Sequence, residues 1–170
     1  MKKKFQVAID SPAASGAGTQ AQLICKYYNF FYLDTGKLYR ILGKLYLENN
    51  KKINYTLFKR KIKKTKVSDL KNKNLLNNEI GMASAFLAKD KKIRIFVSEY
   101  QRKIADNPPK KYNGVCFDGR DITYKIMPKA DVKIFMTANV KIRARRRYLE
   151  LKKYNLKVKL KDILESVEKR

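Results

Sequence analysis

The chain has no histidine, no tryptophan, two cysteines, four prolines and seven glycines in 170 residues. Without histidine it lacks the usual general base at neutral pH and the commonest zinc ligand, so Ser–His catalysis and histidine-held zinc are excluded. Cys25 and Cys116 stand far apart and form none of the close pairs used by metal sites or disulfide frameworks. Acidic residues are also scarce, 15 against 41 Lys and Arg, for a formal net charge of +26. No apolar run approaches the roughly 18 residues needed to span a bilayer. The basic start at residues 1–4 leads into an apolar stretch that Asp10 and Pro12 break, which makes a poor secretory signal. These absences predict a cytoplasmic protein with no membrane segment.

What is present suffices for one domain. The hydrophobic fraction is 44%, ordinary for a chain that buries a core. The positive charge points to anionic partners, nucleotides or nucleic acid. The lysine excess is spread along the chain together with Asn and Tyr, which reads as compositional bias and solvated surface. The aromatic residues fall mostly in segments that read as core, and no nucleic-acid-binding module is recognisable, so no stable nucleic-acid partner is expected.

Patterning predicts strands at 5–9, 30–33, 114–117 and 130–136. Helices are expected at 19–28 and from 37 to about 48. Another starts near 77 with Ile80, Ala83, Ser84 and Leu87 on one face, and the next carries Ile93, Val97, Tyr100 and Ile104. Asn107-Pro108-Pro109 stops that helix. Asn139 caps a helix running through 143–153, and 159–170 begins one more. Residues 49–76 are polar and heavily basic and read as a partly ordered insertion. Strands alternating with helices predict an α/β fold, a mostly parallel sheet flanked by helices. Such folds bind ligands at the carboxyl ends of their strands, where the polar clusters 10–19, 34–40 and 118–121 all fall.

The first cluster, Ser11-Pro12-Ala13-Ala14-Ser15-Gly16-Ala17-Gly18-Thr19, nearly fits the phosphate-binding loop G-x-x-x-x-G-K-[ST], and it sits between a strand and a helix as that loop must. Gly16, Gly18 and the small Ala13, Ala14 and Ser15 let backbone N–H groups approach a phosphate. Thr19 keeps the hydroxyl that holds Mg²⁺. Ser11 replaces the first glycine, with a modest cost if its φ must be positive. Ala17 replaces the lysine, and losing one preorganised electrostatic contact typically costs about 10²–10³ in rate.

Further segments follow in order: Asp34-Thr35-Gly36-Lys37-Leu38-Tyr39-Arg40, Ile93-Arg94, Gln101-Arg102, Asp118-Gly119-Arg120-Asp121, Val132-Lys133-Ile134-Phe135 and Arg143-Ala144-Arg145-Arg146-Arg147. Together with the loop they resemble the bacterial cytidylate (CMP) kinase family over essentially the whole chain. The resemblance implies a three-layer P-loop kinase fold that transfers the γ-phosphoryl group of ATP to CMP or dCMP in pyrimidine nucleotide metabolism, with Mg²⁺ accompanying ATP. It implies one domain, 1–170, with a small basic helical NMP-binding insertion at about 49–106 and an incomplete lid after about 148.

Residue by residue, the resemblance assigns 11–19 to the ATP phosphates and Thr19 to Mg²⁺. It assigns Thr35, Gly36, Tyr39, Arg40, Ser84, Arg94, Arg120 and Asp121 to CMP, and Arg143 and Arg147 to catalysis over the ATP phosphates. A monomer is expected. The chain departs from the family at Ser11, Ala17, Ala85 (next to Ser84) and Thr123-Tyr124. It also stops before the family's D-x-x-D-R lid segment, which reads as a C-terminal truncation. Weak activity is the expectation, with a catalytically impaired nucleotide-binding remnant as the alternative and a basic nucleic-acid-binding protein as a second.

Overall fold

The computed structural model describes residues 4–153 and 158–168. Among these, four parallel strands form one sheet in the order β2-β3-β1-β4. They are β1 (Phe5–Asp10), β2 (Phe30–Asp34), β3 (Gly114–Gly119) and β4 (Val132–Phe135). Alternation splits the side chains of β1, β2 and β3 between two faces, as the period of two requires. Ala8, Phe31, Leu33, Val115 and Phe117 point into the larger core. Val7, Ile9, Phe30, Tyr32 and Cys116 point the other way, against Ala17, Ala21 and Cys25 of α1 (Ala17–Tyr28). Burial on both faces is what permits the near-continuous apolar run of β1 in a parallel sheet. A hydrogen bond with Cys25, together with burial, pushes the Cys116 thiol up, so it stays neutral and inert.

The larger core is closed by α2 (Thr35–Glu48), α3 (Tyr55–Lys64), α4 (Asn78–Leu87) and α5 (Lys91–Asp106). The faces expected of α4 and α5 are the ones used: Ile80, Ala83, Ser84, Leu87, Ile93 and Val97 are buried. The basic stretch expected to be only partly ordered contains a regular helix. Asn54 caps α3 by accepting the Leu57 N–H at 3.0 Å, Phe58 and Ile62 bury completely, and the lysines take the solvent face. The i, i+4 pair Phe58/Ile62 was the available signal, masked by the surrounding charge. Beyond β4, α6 (Val140–Lys152) packs through Ala144 on Ile163 and Val167 of α7 (Leu160–Glu168). Asn139 caps α6 as expected, accepting the Lys141 N–H at 2.9 Å. The last two residues of the helix expected at 159–170 lie outside the described residues. No helix among the described residues is long and apolar enough to cross a membrane.

Helices α2 and α4 meet backbone to backbone. A Cβ on Gly43 would lie 2.8 Å from the Ile80 carbonyl oxygen and 2.9 Å from the Ser84 nitrogen, and neither can move without the helix. We therefore expect Gly43→Ala to destabilise the fold by about 2 kcal/mol in urea denaturation, despite its better helix propensity. A stabilised variant would show that the two helices are not held at this spacing.

Candidate functional site

The loop after β1 is held where it leaves the strand. The Ser11 N–H donates to the Gly119 carbonyl at 3.0 Å and the Met136 N–H to the Asp10 carbonyl at 2.8 Å, tying the start of the loop to the neighbouring strand ends. The chain then turns on itself: the Ser15 hydroxyl donates to the Pro12 carbonyl at 2.8 Å. Two residues take left-handed backbone, Ala14 at φ 62° and Gly16 at φ 95°. The strain expected at Ser11 therefore falls at Ala14, where a non-glycine residue costs about 1 kcal/mol. Gly16 precedes α1 and caps it with no side chain, so the first N–H groups of the helix are left to a ligand, as in anion sites at helix N-termini. Ala17 is 3% exposed and packs into the β1 core cluster. Thr19 is exposed one residue further on than Gly18.

Facing α1 from the end of β3 is Asp118. A Cβ on Gly18 would come within 3.3 Å of the Tyr32 hydroxyl and 3.5 Å of Asp118 Oδ2, so only glycine leaves this pair undisturbed. Tyr32 donates its hydroxyl to Asp118 Oδ1 at 2.8 Å. Burial pushes the Asp118 carboxyl up to about 6, helped by the nearby Asp34 and opposed by Tyr32 and Lys37. Tyr32 in turn is raised by burial and by the same two carboxylates.

Asp10 is buried and points across the sheet end. It accepts the Ile122 N–H at 2.7 Å and the Thr123 N–H at 3.0 Å, and it also takes the Thr123 hydroxyl. The turn after Asp118-Gly119-Arg120-Asp121 is thus locked to the strand that launches the loop. Asp121 itself sits at φ 64°, heading the short helical turn Ile122–Ile126.

Of the residues expected to meet CMP, Arg94 and Tyr39 lie at Asp121. Arg94, from α5, pairs with Asp121 Oδ2 and also donates to the Ala88 carbonyl at 3.4 Å. Burial raises Asp121, yet hydrogen bonds from Tyr124 and Lys125 and the Arg94 charge outweigh it and hold the carboxyl below its usual value. Tyr39 joins the group: burial raises its hydroxyl, with Arg94 and Asp121 acting on it in opposite directions. Thr35 is buried and donates to the Asp118 carbonyl at 2.8 Å, and Gly36 follows it on the first turn of α2. Arg40 reaches the other way, to the carbonyls of Leu75 at 2.8 Å and Asn77 at 3.4 Å. The Ser84 hydroxyl is spent on the Gly81 carbonyl at 2.7 Å. Arg120 is exposed at the sheet end.

The two arginines expected over the ATP phosphates lie differently. Arg143 is buried, its Nε donating to the Ala138 carbonyl at 3.0 Å. Arg147 pairs with Glu150 at 2.8 Å. The α6 arginine on the loop is Arg146, whose Nη1 donates to the Ser15 carbonyl at 2.9 Å. Sequence reading also passed over Asp10 and Asp118. A carboxylate at the end of each of two inner strands, beside a glycine-bearing turn, was the signal available for both.

A loop of this kind on the inner strand of a parallel β2-β3-β1-β4 sheet, with an arginine-bearing helical region folded over the next strand ends, defines a P-loop nucleoside monophosphate kinase fold. The cytidylate kinase family model matches residues 7–170. A protein named cytidylate kinase from Thermosipho melanesiensis is 36% identical over 95% of this chain and 76% of its own length. One of the same name from Rhodospirillum rubrum is 36% identical over 96% of the chain and 78% of its length. A third, from Bartonella tribocorum, is 37% identical over 99% and 77%. The chain belongs to the cytidylate kinase family.

The raised Asp118 carboxyl gives a stability test with a definite sign. Its proton is held more tightly in the folded chain, so stability falls as pH rises from about 4 through about 6. Asp118→Asn, which keeps an acceptor for Tyr32, should remove this loss. We expect the variant to gain roughly 2 kcal/mol on the parent between pH 4 and pH 7 in denaturant titrations. Parallel pH profiles would place the Asp118 carboxyl in water.

Proposed function

We propose that the protein transfers the γ-phosphoryl group of ATP to CMP or dCMP, giving ADP and CDP or dCDP. One observation carries this reading. Tyr39, Arg94 and Asp121 converge at the same sheet end as the N-terminus of α1, so a phosphate donor and a monophosphate acceptor can meet there. Phosphoryl transfer needs little covalent help and much positioning and positive charge. The free N–H groups behind Gly16 would hold the β- and γ-phosphates of ATP. Arg94 and Arg120 offer forked donors suited to the acceptor phosphate, and Arg40 would add its own on leaving the Leu75 and Asn77 carbonyls. Asp121, kept ionised, accepts hydrogen bonds and fits the exocyclic amine of cytosine.

The residues present also fit Mg²⁺ arriving with ATP. Thr19 offers its hydroxyl at the start of α1, and the buried Asp118 gains from any cation placed beside it. Bound there, Mg²⁺ would screen the charge of the phosphate oxygens. Among the described residues no group of three or more His, Cys, Asp or Glu side chains could hold a metal alone. The remaining parts of the reading are one kinase domain acting as a monomer in the cytoplasm, with 49–106 serving as the NMP-binding region and the stretch after about 148 as the beginning of a lid. Arg143 and Arg147, just ahead of that stretch, would act over the ATP phosphates by leaving their present partners when ATP binds.

An ADP-release assay with five acceptors tests the reaction. CMP or dCMP should be used at least about tenfold better than AMP, UMP or GMP. Equal use of all five would overturn the subfamily reading. Arg94→Ala should raise the KM for CMP about tenfold or more, the usual scale for a lost charged hydrogen bond, and leave the KM for ATP unchanged.

A further inference from the structure

We propose that Arg146 supplies to the ATP phosphates the positive charge that Ala17 cannot. The inference rests on the reading of residues 11–19 as an ATP loop and goes one step further, to which side chain charges it. The loop has glycines, a helix N-terminus and a hydroxyl but no cation of its own: position 17 is an alanine buried in the β1 cluster. A phosphate cradle of backbone amides alone is weak, since the transferring phosphoryl group keeps its negative charge into the transition state.

Arg146 meets the requirement by position. It is exposed, its Nη1 is 2.9 Å from the Ser15 carbonyl, and the same nitrogen lies 3.3 Å from where a Cβ on Gly16 would be. The guanidinium therefore rests on the two residues that open onto the helix start. One N–H is used on Ser15, and a guanidinium carries five, so its remaining donors can reach a phosphate. On its own helix, Arg143 donates to the Ala138 carbonyl just ahead of α6, and Ala144 packs on α7.

Of the other α6 and α2 cations, Arg147 is paired with Glu150 and Lys37 sits by Asp34 at 3.9 Å, while Arg143 is buried, its Nε on the Ala138 carbonyl and its Nη1 without a hydrogen-bond partner. In the step itself the bond from the γ-phosphorus to the ADP oxygen breaks, and one to an oxygen of the CMP phosphate forms. Arg146 stays protonated throughout and exchanges no proton.

The test uses four variants of the full chain: Arg146→Lys, Arg146→Gln, Ala17→Lys, and Ala17→Lys combined with Arg146→Gln. Glutamine keeps a donor for the Ser15 carbonyl and loses the charge, so it separates charge from simple loop support. Titration of MgATP by calorimetry and the rate of CMP phosphorylation are the two readouts. Arg146→Gln should weaken MgATP binding at least tenfold, lower kcat/KM for ATP by about 10²-fold, and leave CMP binding unchanged. Arg146→Lys should keep most of both. Ala17→Lys should add little to the parent, yet restore at least tenfold in the Arg146→Gln background.

If Arg146→Gln binds MgATP like the parent, or if Ala17→Lys gives the same gain in both backgrounds, Arg146 is not the loop cation. The kinase reading fails separately: a parent that binds MgATP but phosphorylates no nucleoside monophosphate would overturn that reading. The binding arm of the Arg146 test would still decide this one.

Discussion

The carboxylate of Asp10 is the interaction on which the site depends. It ends the inner strand, is buried, and is answered by two backbone N–H groups and a hydroxyl from residues 122 and 123. A buried charge left without those donors would cost several kcal/mol, so strand and turn fold as one unit. The Ser11 to Gly119 backbone bond doubles the tie. Because the loop on one side and Asp118 to Asp121 on the other are bound through the same carboxylate, their spacing is set by the sheet rather than by flexible connections. Two phosphate-bearing ligands need that kind of fixed separation if they are to react.

Around this tie the site is assembled from groups that exclude one another sterically or electrically. Gly18 leaves room for Tyr32 and Asp118, and Gly16 leaves room for Arg146. Burial makes Asp118 reluctant to ionise. On the acceptor side the balance is the reverse: Asp121 is kept ionised by Tyr124, Lys125 and Arg94. One sheet end thus presents a carboxyl raised by burial beside the loop and another, at Asp121, held below its usual value.

Much of this was legible in the sequence. Alternating strands and helices gave the parallel sheet and put the polar clusters 10–19, 34–40 and 118–121 at its strand ends, while the order of the D-T-G-x-x-Y-R and D-G-R-D segments carried the family resemblance. Less legible were features decided by contacts between segments. The charge of residues 59–66 hid the helix that Phe58 and Ile62 anchor, because composition is read by eye and burial only by packing. Ser11 carried a cost only if its φ were positive; the left-handed non-glycine residue of the loop is Ala14, where the Ser15 to Pro12 bonds set the turn. Four arginines crowd α6, and the resemblance assigned Arg143 and Arg147. Only the rotation of that helix against the loop brings Arg146 to Ser15.

The central claim is that one sheet end holds both nucleotides with their phosphates facing each other. A compound in which adenosine and cytidine are joined 5′ to 5′ through a chain of five phosphates tests it directly by competition calorimetry. It should bind one molecule per chain, more tightly than either nucleotide alone, and be displaced by ATP and by CMP. Displacement by only one of the two, or binding no tighter than ATP, would contradict the claim.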